Sequence, residues 1–201
     1  MNNMKKKFIV ATKNKGKLNE IKEILSDFDY EVLSMTDLGI NKEIEETGST
    51  FEENALIKAK AVWNLTGETV MADDSGLEVD ALNGAPGIYS SRFAGPNATD
   101  EERNKKLLAL LEEVPFEKRK ARFVCAIAVV YPDGSDFVVR GTCDGYIAFK
   151  PEGNNGFGYD PLFYVPEFGM TTAQMDPKKK HSISHRGKAL QEMINMLKQN
   201  R

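Results

Sequence analysis

Met71-Ala-Asp-Asp-Ser-Gly-Leu-Glu-Val-Asp-Ala-Leu-Asn-Gly-Ala-Pro-Gly-Ile-Tyr-Ser-Ser-Arg-Phe-Ala-Gly95 is the stretch around which the rest of the chain is organised. With Thr69 and Val70 it begins as a short apolar strand. The carboxylates, hydroxyl and glycine that follow predict that Asp73, Asp74 and Ser75 lie where a buried strand meets a loop. Successive strand side chains point to opposite faces, so Asp73 and Asp74 cannot both enter one cleft without a bulge, and one of them is expected to be structural. Neighbouring carboxylates are costly unless a cation or hydrogen bonds compensate, and a divalent metal is the usual compensation; a solvated acidic loop is the alternative. Gly84, Pro86, Gly87 and Gly95 predict a tightly turned loop closed by Arg92.

Upstream, Lys7 to Thr12 reads as a first strand and Lys17 to Phe28 as an amphipathic helix with Leu18, Ile21, Leu25 and Phe28 on one face. Between them stands Thr12-Lys13-Asn14-Lys15-Gly16-Lys17. A strand, a short glycine loop and a helix start offer unpaired backbone N–H groups and the positive end of a helix dipole, an anion site to which the lysines add charge. The usual phosphate-loop pattern is absent, and solvated lysines before a helix are the competing interpretation. Glu31 to Met35 is a second strand, followed by the acidic Glu43-Ile-Glu-Glu-Thr-Gly48. Thr50-Phe-Glu-Glu53 is a capping box opening a helix to Leu65. Asn54 and Lys58, four apart, share a face of that helix and can reach one cleft, the alternative being a solvated lysine.

Downstream, Thr99-Asp-Glu-Glu102 is a second capping box, and the leucines from Arg103 to Val114 read as scaffold helix. Ala121 to Tyr131 and Ser135 to Phe149 predict a long hairpin around Asp133-Gly134. Pro151-Glu-Gly-Asn-Asn-Gly-Phe-Gly-Tyr-Asp-Pro161 is a second glycine-rich loop; its glycines let backbone approach a ligand, and an aromatic ring there can stack on a nucleobase. After Lys178-Lys179-Lys180, the segment His181-Ser-Ile-Ser-His-Arg-Gly-Lys188 opens a last helix with His185 and Arg186 at its start. Arginine in that position can donate paired hydrogen bonds to a phosphate or a base carbonyl. Alternating strands and helices followed by a hairpin and a helix indicate an α/β fold with a mixed sheet.

The 201 residues and 22.4 kDa suit a single domain, 1–201, built as one core or two lobes. A net charge of −3 and a pI near 5.6 argue against nucleic acid as a partner, since that needs basic surface to displace counterions. No apolar run reaches spanning length, so no membrane is expected as a partner, and the start Met1-Asn-Asn-Met-Lys-Lys-Lys lacks a signal-peptide pattern, which predicts a cytoplasmic protein. Cys125 and Cys143 read as reduced core residues, and two histidines are too few for a histidine-based zinc site.

Four clusters stand together: Thr12-x-Asn14-x-x-Lys17, Asp73-Asp74-Ser75-Gly76, Phe157-Gly158-Tyr159-Asp160 and Ser184-His185-Arg186-Gly187. With Gly48-x-Thr50-Phe51-x-Glu53-Asn54-Ala55 and Gly84-Ala85-Pro86-Gly87-Ile88-Tyr89-Ser90, their order and spacing resemble the inosine triphosphate pyrophosphatase family, also described as XTP/dITP diphosphatases. The similarity covers nearly the whole chain. It implies an elongated α/β structure with two lobes about a central substrate cleft, a homodimer, and a Mg²⁺-dependent enzyme hydrolysing ITP, dITP and XTP to the monophosphate and pyrophosphate. By position, the resemblance implies that Thr12, Lys13, Asn14, Lys15, Gly16 and Lys17 hold the triphosphate. It also implies that Asp74 binds metal and accepts a proton from water, and that Ser75, Lys58 and Lys180 contact substrate. Phe157, Gly158, Tyr159 and Asp160 with His185 and Arg186 are implied as the base pocket. The second metal ligand implied is a glutamate of the Glu45-Glu46 pair, Glu45 being the expectation and Glu46 the alternative.

Two other readings compete. One is a related pyrophosphatase preferring modified or pyrimidine triphosphates, against which the Ser184-His185-Arg186 cluster and the second glycine loop stand. The other is a non-catalytic nucleotide- or RNA-binding protein, for which Asp74→Asn would be silent.

Overall fold

A computed structural model describes residues 4–200; Met1, Asn2 and Asn3, part of the stretch read for a signal peptide, and Arg201 lie outside the described residues. The strands form a seven-stranded sheet in the order β2-β1-β3-β4-β5-β6-β7, flanked by helices. It is mixed, as the alternation of elements predicts. β1 (Lys6–Val10) pairs in parallel with both β2 (Tyr30–Ser34) and β3 (Thr69–Val79), with Phe8 opposite Val32 on one side and Thr69 on the other. β6 (Phe163–Val165) pairs antiparallel with β7 (Met170–Thr171) and with β5 (Asp136–Ile147). β4 (Lys120–Val130) leads into β5 through a turn closed by Tyr131 and Ser135, the turn expected at Asp133-Gly134.

The chain divides into two units. The first contains the described residues of Met1–Asp74, Ala126–Val139 and Glu192–Arg201. Here α1 (Lys15–Ile24) and α2 (Phe51–Thr66) carry buried Leu18, Ile21, Ala55, Ala59 and Val62, while β1 and the start of β3 bury Phe8, Ile9, Val70 and Met71. Burial of each of the larger side chains among these, the alanines apart, is worth about 1.5–3 kcal/mol. The second unit contains Ser75–Cys125 and Arg140–Gln191. Its core joins Leu77, Val79, Leu107 and Leu111 to Phe123, Ile147, Leu162 and Phe163, with α3 (Asp100–Leu110) supplying Leu107. β3, β4 and β5 each contribute residues to both units.

α1 ends at Ile24 rather than Phe28, α3 runs over Asp100–Leu110 rather than Arg103 to Val114, and three further differences from the sequence reading bear on the site. β3 does not end at Ala72; it is one strand of 11 residues through Asp73, Asp74 and Ser75 to Val79. The reason is the alternation Leu77-Glu78-Val79, whose two apolar residues are fully buried, so the pleat continues past the polar residues. α1 begins two residues earlier than expected because Asn14 caps it. The carboxy-terminal helix is two helices, α4 (Pro177–Ile183) and α5 (His185–Gln199), broken at extended Ser184. Asp176 caps α4 by accepting from Lys179 N, and Pro177 stands at its first turn, where a missing N–H costs nothing.

Both capping threonines act as predicted, with one variation. Thr99 and Glu102 form the complete reciprocal box. At α2, Thr50 Oγ1 accepts from Glu53 N, but Glu53 reaches one residue further back, to the N–H and hydroxyl of Ser49. Cys125 and Cys143 are buried and unbridged, and burial pushes the Cys143 thiol up. Among the described residues no helix is long and apolar enough to cross a membrane.

Candidate functional site

In the first unit the loop between β1 and α1 is held by its own side chains. Thr12 Oγ1 accepts from Asn14 N at 3.1 Å, and Asn14 Oδ1 accepts from Gly16 N and Lys17 N at 2.9 and 3.1 Å. The expectation of unpaired N–H groups here is thereby corrected: two of the first donors of α1 are already satisfied by the Asn14 cap. What this loop presents is side-chain charge. Lys13, Lys15 and Gly16 are exposed, with Lys13 Nζ near Asn41 O at 3.4 Å, while Lys17 turns inward to Asp73 Oδ2 at 2.9 Å.

Asp73 and Asp74 are consecutive in one continuous strand, so their side chains take opposite faces of β3, and they live in different surroundings. Asp73 is buried and ion-paired to Lys17. Asp74 is half-buried among Asn54, Lys58 and Glu46. Burial, then the Glu46 carboxylate, push its carboxyl up to about 6; Lys58 and a hydrogen bond from Asn54 oppose that without cancelling it. Its Oδ2 is a buried oxygen with no hydrogen-bond partner.

The helix α2 builds this half of the site. Asn54 and Lys58, one turn apart, reach the same place, as their spacing predicts. Asn54 Oδ1 also accepts from Gly48 N at 2.8 Å, which fixes the acidic loop against the helix start. Lys58 Nζ pairs with Glu46 Oε1 at 3.0 Å. Of the two candidate glutamates, Glu46 is half-buried and felt by Asp74, whereas Glu45 is exposed.

A hard divalent cation fits the Asp74 surroundings. An orphaned carboxylate oxygen beside a second carboxylate is the donor chemistry that Mg²⁺ takes, and Mg²⁺ is commonly held by one or two carboxylates together with substrate phosphates. Among the described residues no group of three or more His, Cys, Asp or Glu side chains is arranged to hold a metal ion.

The second unit holds Ser75, the second glycine loop, Lys180, His185 and Arg186. Ser75 is exposed on β3. In the loop Phe157 is 78% exposed, whereas Tyr159 and Asp160 are buried. Tyr159 donates its hydroxyl to Ser90 O at 2.6 Å, and burial pushes that phenol up to about 12. Asp160 Oδ2 accepts from Phe157 N at 3.0 Å and from Lys180 Nζ at 2.5 Å, and its Oδ1 accepts from Thr172 Oγ1 at 2.8 Å. Lys180 in turn lies 4.9 Å from the centre of the Phe157 ring. Asp160 thus ties the loop and Lys180 together from beneath. Its partner Thr172 carried no signal in the sequence, because nothing local connects the two positions.

His185 is the first residue of α5, its ring stacked on Phe123 with centroids 5.0 Å apart. Arg186 follows, half-buried. The Ser184 hydroxyl joins the two last helices, donating to His181 O and accepting from Gly187 N. Gly141 on β5 sets how closely α5 lies: a Cβ there would come within 2.2 Å of His185 O. The structure therefore gathers the predicted residues into two sets, Thr12–Lys17 with Asp74, Lys58 and a glutamate in one unit, and Phe157–Asp160 with Lys180, His185 and Arg186 in the other.

Comparisons with known proteins agree with the architecture. Residues 8–196 match the model of the Ham1 family. The chain is 52% identical over 191 residues to a protein of Desulforamulus reducens named dITP/XTP pyrophosphatase, covering 95% of each. The solved structure of the Staphylococcus aureus Ham1 protein superposes with a TM-score of 0.93 at 46% identity, over 98% of this chain and 100% of that one. A structure from Mycobacterium abscessus, described as a nucleoside-triphosphatase / dITP/XTP pyrophosphatase, gives 0.84 at 44% identity over 95% and 99%. Fold, spacing of the site residues and near end-to-end similarity lead to one conclusion: the chain belongs to the Ham1 family.

Proposed function

We propose that this protein is a Mg²⁺-dependent nucleoside triphosphate pyrophosphatase that hydrolyses ITP, dITP and XTP to the monophosphate and pyrophosphate, clearing deaminated purines from the nucleotide pool. The observation that carries the reading is Asp74: a carboxyl raised to about 6, with an orphaned oxygen, flanked by Glu46 and Lys58. Strongly perturbed carboxyls of this kind concentrate at functional sites.

In this reading Lys13, Lys15 and Lys17 draw in and orient the triphosphate, and Lys58 adds positive charge beside Asp74. Mg²⁺, when bound by Asp74 and Glu46, supplies the charge that neutralises phosphate oxygens. Asp74 accepts the proton of the attacking water. The bond between the α- and β-phosphoryl groups breaks, and pyrophosphate leaves. The exposed Phe157 ring stacks on the purine, and Arg186 donates to the carbonyl at C6, where adenine carries an amino group instead. A pocket whose donors are left unpaired by the wrong base can discriminate by several orders of magnitude. The same reading carries a cytoplasmic homodimer, which light scattering on purified protein checks.

The test is product analysis with ITP, XTP, dITP, GTP and ATP, with and without Mg²⁺, assaying pyrophosphate and orthophosphate separately. Pyrophosphate released from ITP and XTP in preference to ATP, only with metal, supports the reading. Orthophosphate release, or equal turnover of ATP, overturns it.

A further inference from the structure

α3 reads from sequence as scaffold, yet two of its residues, four apart, grip one residue of the second glycine loop through both of its flanking peptide groups. Asp100 Oδ2 accepts from Gly158 N at 2.9 Å, and Asn104 Nδ2 donates to Gly158 O at 3.1 Å. Both hydrogen-bonding groups of a single residue are thus taken by one helix face. Gly158 has φ +61°, the left-handed region, with open space where a Cβ would stand, so the backbone angle rather than crowding is what the clamp must maintain.

The clamp is itself braced. Arg103 ion-pairs with Asp100 and donates to Ser91 O and Ala98 O, while the Gly158 N–H and then Arg103 hold the Asp100 carboxyl below the usual range. Asn104 is 6% exposed, and its Oδ1 is buried with no hydrogen-bond partner. A half-satisfied buried amide costs about 1–3 kcal/mol, so a plain packing role would be filled better by an apolar side chain. Asn104 is kept for its donor.

We infer that Asp100 and Asn104 are positioning residues that set purine selectivity by fixing the backbone on both sides of Gly158, and with it the Phe157 ring. The inference rests on the proposed function, in which that ring stacks on the base. In this role they act through the Gly158 backbone rather than by contact with substrate. The clamp holds a turn that glycine leaves free to move in the conformation that presents Phe157 and buries Tyr159 and Asp160.

Asn104→Leu separates this role from a structural one, because leucine removes the orphaned oxygen together with the donor. The expected result is an unchanged or higher melting temperature, a KM for ITP raised about tenfold, kcat largely retained, and a smaller ratio of kcat/KM for ITP over ATP. Asp100→Ala is expected to shift KM and the ratio in the same direction and to speed hydrogen exchange at the Gly158 amide. If the wild type prefers ITP over ATP and folded Asn104→Leu and Asp100→Ala enzymes keep its KM and ratio, the clamp inference alone is overturned. If melting temperature and kcat fall together with no change in ratio, the residues are structural and it is likewise overturned. A wild type with no preference for ITP fails the functional reading itself.

Discussion

Lys17 Nζ stands 2.9 Å from Asp73 Oδ2, so the basic residue that closes the Thr12–Lys17 loop is anchored to the strand that carries Asp74 on its other face. The pair is lopsided: the Lys17 side chain is 36% exposed and that of Asp73 only 9%. Lys17→Ala would therefore take the ion pair from a buried carboxylate and, on the proposed function, remove a phosphate contact as well. We expect a loss of about 1–2 kcal/mol of stability together with a large rise in KM for ITP. The double variant Lys17→Ala/Asp73→Asn should recover the stability but not the KM, which denaturant unfolding and steady-state kinetics on the same preparations will measure.

Asp74→Asn is expected to lower kcat by about 10³-fold with the fold retained. The same change should stabilise the metal-free protein, and the sign follows from linkage. The folded pKa of about 6 lies above the ordinary 3.8, so the folded state holds this proton more tightly than the unfolded state. Stability from that proton is complete below 3.8 and is lost as pH rises through about 6. Discounted for partial exposure, the penalty at neutral pH is about 1–2 kcal/mol. Melting curves should place Asp74→Asn above wild type at neutral pH, with the gap closing under acid; a gap independent of pH would contradict this account of Asp74.

The assignment of Glu46 over Glu45 separates cleanly in a metal titration. Glu46→Gln should raise the Mg²⁺ concentration for half-maximal activity about tenfold or more, and Glu45→Gln should leave it nearly unchanged. EDTA should stop hydrolysis by the wild type. A larger effect from Glu45→Gln would return the ligand role to Glu45.

Gly141→Ala tests how His185 and Arg186 are placed. The added methyl would meet His185 O and Ala189 N, both backbone atoms at the start of α5, and neither can give way as a flexible side chain would. We expect a destabilisation of about 1–3 kcal/mol and a weakened preference for ITP over ATP, since the first turn of α5 must move.

Much of this was legible along the chain because the chemistry is local. Both threonine caps, the mixed sheet, the β4–β5 turn and the shared face of Asn54 and Lys58 follow from spacing alone. The division of labour between Asp73 and Asp74 was legible as a rule, since a pleated strand must send them apart, but not which of them would be buried. That depended on Lys17, 56 residues away. The end of β3 was misplaced because two carboxylates and a serine imitate a loop, while the burial of Leu77 and Val79 that carries the strand onward is a tertiary fact. The Asn14 cap shows a different limit: the residue that marks the helix start also consumes the donors its presence advertises. Asp100, Asn104 and Thr172 were out of reach, as each acts on a segment distant in sequence.

Asp160 has both carboxylate oxygens committed to Phe157, Lys180 and Thr172, and it is only 3% exposed. A loop locked from below in this way offers evolution little room to change what it recognises by exchanging its own side chains, because a replacement at Asp160 unfastens the loop before it introduces a new contact. Divergence toward other bases would then proceed through the surrounding supports, leaving the loop's sequence the slowest part of the site to drift.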